Sequence, residues 1–482
     1  MIFIGPFFSA FIIGFLILAN ILKDSRLPHR KLLAMILAAP VGLGTCSTAL
    51  FWAYCAASSQ GKWLSVIFIY LLGAYALFRL ITAMSKTQQK PIFARMEPAA
   101  LKALLNTRTL FHVSISAAAL IVLGFVLYHF IRYFISTSCL EIYGGWDARF
   151  IWNLKAKFFF RSPAEWTGMF RNELAFSHPD YPLLLPGAVA WGWNWAGKEI
   201  LIWPALIAFI FMICTGLFIL WHLLASTNPW SAFLACSYFW VAGAYRFWGP
   251  TQYADIPLCF FITASGGMLL AAVRARENPL FLLSGLLAGM AAWTKNEGLF
   301  FLAWIVLIFF AALAVNAVSR PDKKKAAIFF TAGLSIPLLN ILCLKTFYAK
   351  GGDYLGSGRT AAEYFSLIFK SADKTKAILE GFQTYMTRIN DWNGLWVLFF
   401  AALLIAGFAG WKILLNKHGW ILAAAVILTN FGYFLVLHTT PHEIHWQMET
   451  ALTRLLLHSG GLALIFVFEV FSSFWPETEL RP

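Results

Sequence analysis

The stretch LIWPALIAFIFMICTGLFILWHLL, residues 201–224, contains no Asp, Glu, Lys or Arg over its whole length. About 20 apolar residues in a helix suffice to cross the hydrocarbon core of a bilayer. Residues 326–344 and 451–471 are predominantly apolar runs of similar length. Only 12% of the 482 residues are charged, against about 25% in soluble domains. The sequence therefore predicts an all-α polytopic membrane protein and excludes a soluble enzyme, a secreted disulfide scaffold and a disordered chain.

The net charge of +15 is concentrated in short basic loops. Residues 23–31, 86–108 and 320–325 carry net charges of +3, +4 and +3, whereas the longer segments 136–181 and 348–392 are nearly balanced. Basic loops that alternate with neutral loops follow the positive-inside rule. We therefore expect a multi-pass protein of the inner (plasma) membrane, with the balanced segments on the periplasmic side. The charge pattern predicts contact with membrane lipids and no nucleic-acid partner.

The apolar runs predict about 13 transmembrane helices, with interfacial helices in the first large periplasmic loop. Three apolar stretches, 183–197, 200–224 and 230–245, lie between two points that are both expected outside. Three membrane crossings would place these two points on opposite sides of the membrane. Either 183–197 or 230–245 is therefore re-entrant or interfacial, and both alternatives stay open. Backbone of that kind at membrane depth is tolerated where protein buries it or water reaches it. A broken element here therefore predicts an adjacent polar cavity.

The same pattern divides the chain into four parts. Residues 1–108 form an N-terminal three-helix membrane segment with a basic cytoplasmic loop. Residues 109–347 form a membrane core that includes the periplasmic loop 136–181. Residues 348–392 form a second periplasmic loop, and residues 393–482 contain the C-terminal transmembrane helices.

Ionisable residues gather at the outer ends of the predicted spans. The richest cluster is YGGWDARFIWNLKAKF, residues 143–158, where Gly144 and Gly145 allow a tight turn before Asp147. The apolar spacing that follows, together with its basic residues, is typical of an amphipathic helix in the membrane interface. A plain helix cap or an ion pair with a lysine is the alternative explanation for Asp147.

Four further clusters lie at the same predicted face: SHPDYP at 177–182, QYADIP at 252–257, TKNEG at 294–298 and HEIHW at 442–446. Taken singly, they are explained by a proline turn, a helix cap, a hairpin turn and, for the nearby Arg454, a snorkelling side chain. Taken together, they bring acidic and basic groups from separate spans to one face. The candidate residues are Asp147, His178, Asp180, Asp255, Lys295, Glu297, His445 and Arg454.

This combination of residue types suits chemistry on a lipid-anchored phosphate. A carboxylate can deprotonate an acceptor hydroxyl, and cations can neutralise a departing phosphate. The indole rings of Trp146 and Trp152 are suited to contact with a sugar or to the depth of the headgroups.

The ordered motifs Gly-Gly-Trp-Asp147, His178-Pro-Asp-Tyr-Pro, Tyr-Ala-Asp255-Ile-Pro and Thr-Lys295-Asn-Glu-Gly resemble those of the GT-C superfamily of membrane glycosyltransferases. The nearest groups are the aminoarabinose transferase and protein O-mannosyltransferase type and the bacterial Rgt-like subgroup. The resemblance covers residues 110–300 well and 440–458 loosely. It implies an inverting transfer of a sugar from a polyprenyl-phosphate donor to a lipid, glycan or protein acceptor at the periplasmic face, with 109–347 as the catalytic core.

The resemblance also implies roles for individual residues. Asp147 matches the candidate catalytic base, and Asp255 matches a second acidic position that assists a divalent metal in some members. His178 matches a position near the donor phosphate, and His445 and Arg454 resemble a late phosphate-contacting region. The other predicted substrate-binding residues are Lys155, Asp180, Lys295, Glu297, Trp146 and Trp152.

A divalent metal is left open by the sequence. If one is bound, Asp147, Asp255 and His178 are its predicted ligands. The chain departs from the family pattern because Ala148 follows Asp147 where Glu is common, and because His178-Pro-Asp replaces His-Pro-Pro.

Two other classes of function are compatible with the composition. A lipid or saccharide transporter or flippase would work without bond cleavage and would place ionisable groups along a transmembrane path, where Arg132 is one of few. A structural partner in an envelope-assembly complex would not need Asp147 or Asp255.

Overall fold

A computed structural model describes residues 4–84, 107–315, 317–318, 320–349, 363, 366, 372–408, 418–440 and 442–474. Within these residues the chain forms helices and no strand. Most of the second basic loop, much of the predicted periplasmic loop 348–392 and the basic residues of 409–417 lie outside the described part.

The longer helices are labelled α1 to α16 in chain order. The first eight are α1 (Ile4–Leu22), α2 (Arg30–Ala56), α3 (Gly61–Met84), α4 (Thr107–Leu140), α5 (Asn153–Arg161), α6 (Leu184–Ala196), α7 (Ile202–Ser226) and α8 (Pro229–Val241). The others are α9 (Asp255–Ala275), α10 (Asn278–Thr294), α11 (Asn296–Ala314), α12 (Arg320–Cys343), α13 (Ala372–Thr387), α14 (Leu395–Phe408), α15 (Trp420–Thr439) and α16 (Ile444–Ser472).

Ten helices in the described residues are long and apolar enough to cross a membrane. This confirms the predicted class, an all-α multi-pass membrane protein. Two further apolar helices, α10 and α14, are shorter, with 17 and 14 residues. The number 13 and the orientation in the membrane stay predictions.

The two ambiguous stretches both form short helices. α6 and α8 each contain 13 residues, which corresponds to about 20 Å of helix and is less than the roughly 30 Å of a hydrocarbon core. α6 is buried from Leu184 to Asn194 and packs on α2 and α5. The structure therefore leaves both alternatives open, and it places α6 within protein, where a non-spanning element is tolerated.

Helix α9 lies at the centre of the bundle and packs against α7, α10 and α16. It runs parallel to α16, because Asp255 and Arg274 near its two ends contact Arg454 and Glu469 in the same chain order. Between these contacts the helices approach closely: a Cβ on Gly461 would lie 2.3 Å from the Thr263 hydroxyl oxygen.

The second contact between α9 and α16 is a partly buried charged cluster. Arg274 donates from Nη1 and Nη2 to the two carboxylate oxygens of Glu469, at 2.6 and 2.8 Å. His222 of α7 approaches the same carboxylate, with Nε2 3.2 Å from Oε1. This cluster joins three helices at the end of α16 that lies away from Arg454.

The amphipathic helix predicted after Asp147 is found as a π-helical turn, Ala148–Trp152, followed by α5. Two 3-10 segments, Pro163–Phe170 and Asn172–Ser177, lead from α5 to the loop that contains His178. α5 packs on α6 and on the first 3-10 segment. These elements hold the residues of segment 136–181 over the ends of the long helices.

Candidate functional site

A cavity of about 1250 Å³ lies between the loop segments that flank α5 and the ends of α11, α15 and α16. Its wall includes Trp146, Asp147, His178, Lys295 and Arg454. Segments that are distant in sequence therefore meet at one site, as the clustering of ionisable residues indicated.

The Gly144-Gly145 turn places Asp147 against the segment before α9. Gly144 has a φ of 68°, in the left-handed region that glycine adopts without strain. A Cβ on Gly145 would lie 2.5 Å from Tyr253 Oη, so the close approach requires glycine there. The Gly145 N–H donates to Thr251 O at 3.1 Å, which fixes the turn beside α9.

Arg454 of α16 connects the two predicted acidic residues. Its Nη1 lies 2.5 Å from Asp147 Oδ2 and 3.7 Å from Asp255 Oδ2. The guanidinium carbon is 5.4 Å from the ring centroids of both Trp248 and Tyr253, a range in which cation–π attraction operates. These contacts hold the guanidinium at the cavity wall, next to both carboxylates.

Asp255 is fully buried at the start of α9 and is surrounded by basic partners. Lys295 Nζ donates to its Oδ1 at 2.9 Å, and His458 Nε2 lies 2.8 Å from the same oxygen. Lys295 also pairs with Glu297 Oε1 at 2.8 Å. A buried carboxylate is tolerated when charge and hydrogen-bond partners compensate it, and here two cations do so.

A second polar cluster lies at another part of the cavity wall. Asn296 Nδ2 donates to Asp180 Oδ2 at 2.6 Å, and Lys345 Nζ donates to Asn296 Oδ1 at 3.0 Å. Lys345 and Asp180 also form an ion pair, with 3.6 Å between Nζ and Oδ2. Asp180 therefore belongs to the site, and Lys345 adds a cation that the sequence patterns did not indicate.

Lys155 has a different position from the one predicted for a substrate-binding residue. It is fully buried behind the loop, where its Nζ donates to His178 O at 2.6 Å and lies 3.5 Å from Tyr181 O. Burial lowers the pKa of this ammonium group to about 7, with smaller effects of Asp180 and Lys345. Lys155 thus supports the cavity loop, in which His178 has a φ of 49°, and does not line the described cavity.

Two other predicted residues lie outside the cavity wall as described. Trp152 is fully buried and stacks on Tyr181, with 5.5 Å between ring centroids. The His445 side chain is exposed, and its backbone N–H bonds to the Glu443 cap of α16. His442, just before α16, and Trp446 in its first turn line the cavity instead.

The structure adds three site residues that sequence reasoning missed: Tyr433, His458 and Lys345. His458 lies four residues after Arg454, so the two side chains share one face of α16. Tyr433 and Lys345 lie within apolar runs and belong to no cluster of polar residues in the sequence, so no motif indicated them. The i, i+4 spacing of Arg454 and His458 was the signal that could have found one of them.

The predicted metal ligands do not fit a metal site. Among the described residues there is no group of three or more His, Cys, Asp or Glu side chains arranged to hold a metal. Arg454 lies between Asp147 and Asp255, and His178 lies with the loop that Lys155 supports.

No family model, curated protein or solved structure matches the chain. The fold and the site define only a class of protein: an all-helical multi-pass membrane protein with a charged cavity. Chemically, the cavity combines carboxylates, hydrogen-bond donors and aromatic rings on one wall.

Proposed function

We propose that the protein is an integral membrane glycosyltransferase of the GT-C type. In this proposal it transfers a sugar from a polyprenyl-phosphate donor to an acceptor hydroxyl at the periplasmic face, with inversion at the anomeric carbon. The observation that carries the proposal is the position of Arg454 between Asp147 and Asp255 at the cavity wall. This arrangement supplies a base and a phosphate-binding cation within one cluster.

The donor phosphate binds at Arg454 in this proposal. Among the described residues, Arg454 hydrogen-bonds to Thr450 O through Nε and to Asp147 through Nη1, which leaves Nη2 to donate to a phosphate oxygen. Guanidinium groups bind phosphate through directed, charge-assisted hydrogen bonds. Lys295, and Lys345 at another part of the cavity wall, add positive charge.

Asp147 is the proposed base. When the phosphate engages the guanidinium, Asp147 loses part of its ion pair and becomes a stronger proton acceptor. Its carboxylate then takes the proton of the acceptor hydroxyl, while the hydroxyl oxygen attacks the anomeric carbon opposite the phosphate. The bond between the anomeric carbon and the phosphate oxygen breaks, and the electron pair leaves with polyprenyl phosphate.

The charges that develop in the transition state are compensated by the groups in this arrangement. Positive charge that builds up on the sugar ring resembles that in glycoside hydrolysis, and Arg454 and Lys295 compensate the negative charge on the departing phosphate. The products are the glycosylated acceptor, polyprenyl phosphate and protonated Asp147. A positioned base of this kind typically contributes about 10²- to 10⁴-fold in rate.

Asp147→Asn tests the proposal in native membranes supplied with a panel of radiolabelled polyprenyl-phosphate sugars. We expect at least about a 100-fold loss of sugar transfer, because the amide cannot take the proton. Glu173→Gln is the matched control, since Glu173 is exposed on the same loop. Wild-type transfer by a well-expressed Asp147→Asn variant would refute the assignment, and donor movement across the bilayer without transfer would favour a flippase.

A further inference from the structure

Three side chains from three helices form a buried chain of hydrogen bonds beside the cavity. Tyr433 Oη of α15 lies 2.9 Å from His458 Nδ1, and His458 Nε2 of α16 lies 2.8 Å from Asp255 Oδ1 of α9. His458 and Asp255 are fully buried, and Tyr433 is 1% exposed. Of these three hydrogen-bonded residues, Tyr433 lines the cavity.

The direction of each hydrogen bond follows from the partners. Asp255 faces Lys295 and Arg454, and an ionised carboxylate only accepts hydrogen bonds. His458 therefore carries its hydrogen on Nε2 and donates it to Asp255. In the neutral ring Nδ1 is then an acceptor, so the Tyr433 O–H points to His458, and the lone pairs of Tyr433 Oη are left to accept from another group.

Glu297 adds a second hydrogen-bond acceptor close by. Its Oε1 pairs with Lys295, whereas its buried Oε2 has no hydrogen-bond partner among the described residues. Glu297 lines the same cavity as Tyr433. These two residues, the Tyr433–Glu297 wall, form a part of the cavity that is rich in acceptors.

The Tyr433–Glu297 wall selects for a ligand group that donates hydrogen bonds. Phosphate diester oxygens only accept, so a phosphate lacks the donors that this wall requires. Sugar hydroxyls donate hydrogen bonds, as this wall requires. The cavity thus has a cationic part at Arg454 and an accepting part at Tyr433.

We infer that the sugar of the donor lies against the Tyr433–Glu297 wall, with one of its hydroxyls donating to Tyr433 Oη. This inference rests on the proposed function, because it assigns the orientation of the same donor. Tyr433 is then a specificity-determining residue that touches the sugar. His458 is a positioning residue that acts through Tyr433, by fixing the direction of its O–H.

The test compares undecaprenyl phosphate, which has no sugar, with glycosylated forms of the same lipid. Binding of undecaprenyl phosphate and of its glucosyl, mannosyl, galactosyl and arabinosyl derivatives is measured by native mass spectrometry on the full chain in nanodiscs. Tyr433→Phe should weaken binding of the preferred glycosylated lipid by about tenfold, since a sugar hydroxyl loses its partner. It should leave binding of undecaprenyl phosphate unchanged.

Two further variants separate this role from a loss of folding. Tyr245→Phe is the matched control: Tyr245 is equally buried and its hydroxyl donates to Leu457 O of α16, away from the cavity wall, so neither lipid should bind more weakly. His458→Gln should reproduce the selective loss seen with Tyr433→Phe, and it replaces that variant if Tyr433→Phe does not fold.

The outcomes distinguish this inference from the proposed function. If Tyr433→Phe and His458→Gln weaken both lipids equally, or weaken neither, the assignment of the sugar to this wall is overturned while the glycosyltransferase proposal stands. If the wild-type protein binds none of the lipids, the proposed function is overturned, and the sugar site with it.

Discussion

Lys155→Met should remove a pH dependence of stability that the buried ammonium group creates. Lys155 is fully buried behind the cavity loop, and burial lowers its pKa from 10.5 to about 7. The folded protein therefore releases this proton at a lower pH than the unfolded chain does. Between about pH 7 and 10.5 the unfolded chain binds more protons, so the free energy of unfolding increases with pH.

The size of the effect follows from the two pKa values. A difference of one pKa unit corresponds to about 1.4 kcal/mol. Below pH 7 the folded protein carries the full cost of the buried charge. Between pH 7 and pH 9 this cost falls by about 2 kcal/mol, and the wild-type protein should gain that stability over the variant.

The assay is thermal unfolding of the full chain in detergent from pH 6.5 to 9. We compare the slopes of the unfolding midpoint against pH, because Lys155→Met also loses the bond to His178 O and shifts the midpoint at every pH. Lys157→Met, two residues along the same helix and half-buried, is the control and should keep the wild-type slope. Parallel slopes for the wild type and Lys155→Met would refute the reasoning.

Two further substitutions test the packing that positions the site. Glu469→Gln removes the charge that pairs bidentately with Arg274 of α9. It should destabilise the protein by about 3 kcal/mol, measured by thermal unfolding. The control Glu380→Gln, in an exposed ion pair, should have almost no effect on stability. Gly145→Ala brings a Cβ to 2.5 Å from Tyr253 Oη and should reduce sugar transfer at least tenfold, because the turn before the proposed base must shift. Gly407→Ala, with open space around it, should leave transfer unchanged, and an equal effect of both glycine substitutions would contradict the argument.

The class of the fold could be predicted because hydrophobic length is a property of sequence alone. Runs such as 201–224 reach the length of a membrane span without any charged residue, and the structure forms α7 there. The number of crossings depends on tertiary context. The stretches 183–197 and 230–245 are equally apolar, and both form helices of 13 residues.

The candidate site could be predicted from charged residues at the ends of the predicted membrane spans. Asp147, Asp255, Lys295 and Arg454 stand out because ionisable groups are costly near a bilayer, and the structure joins them through ion pairs. The rotation of each helix about its axis decides which of these side chains face the cavity. The sequence of a loop does not define that rotation.

Lys155 and Trp152 show the limit of that reasoning. Trp152 lies at the end of the π-helical turn Ala148–Trp152 and Lys155 in the first turn of α5, and both side chains are fully buried. His458 and Tyr433 are found in the site only because α15 and α16 are packed together, a contact between helices that local sequence does not encode.

In the proposed function, the double connection between α9 and α16 restricts how the cavity can admit a long lipid donor. Arg454 and Glu469 are about 22 Å apart along α16, and each is bound to α9. Tilting or sliding α16 would therefore break contacts at two levels at once. Widening of the cavity therefore has to come from the other elements of its wall, α11, α15 and the loop around His178.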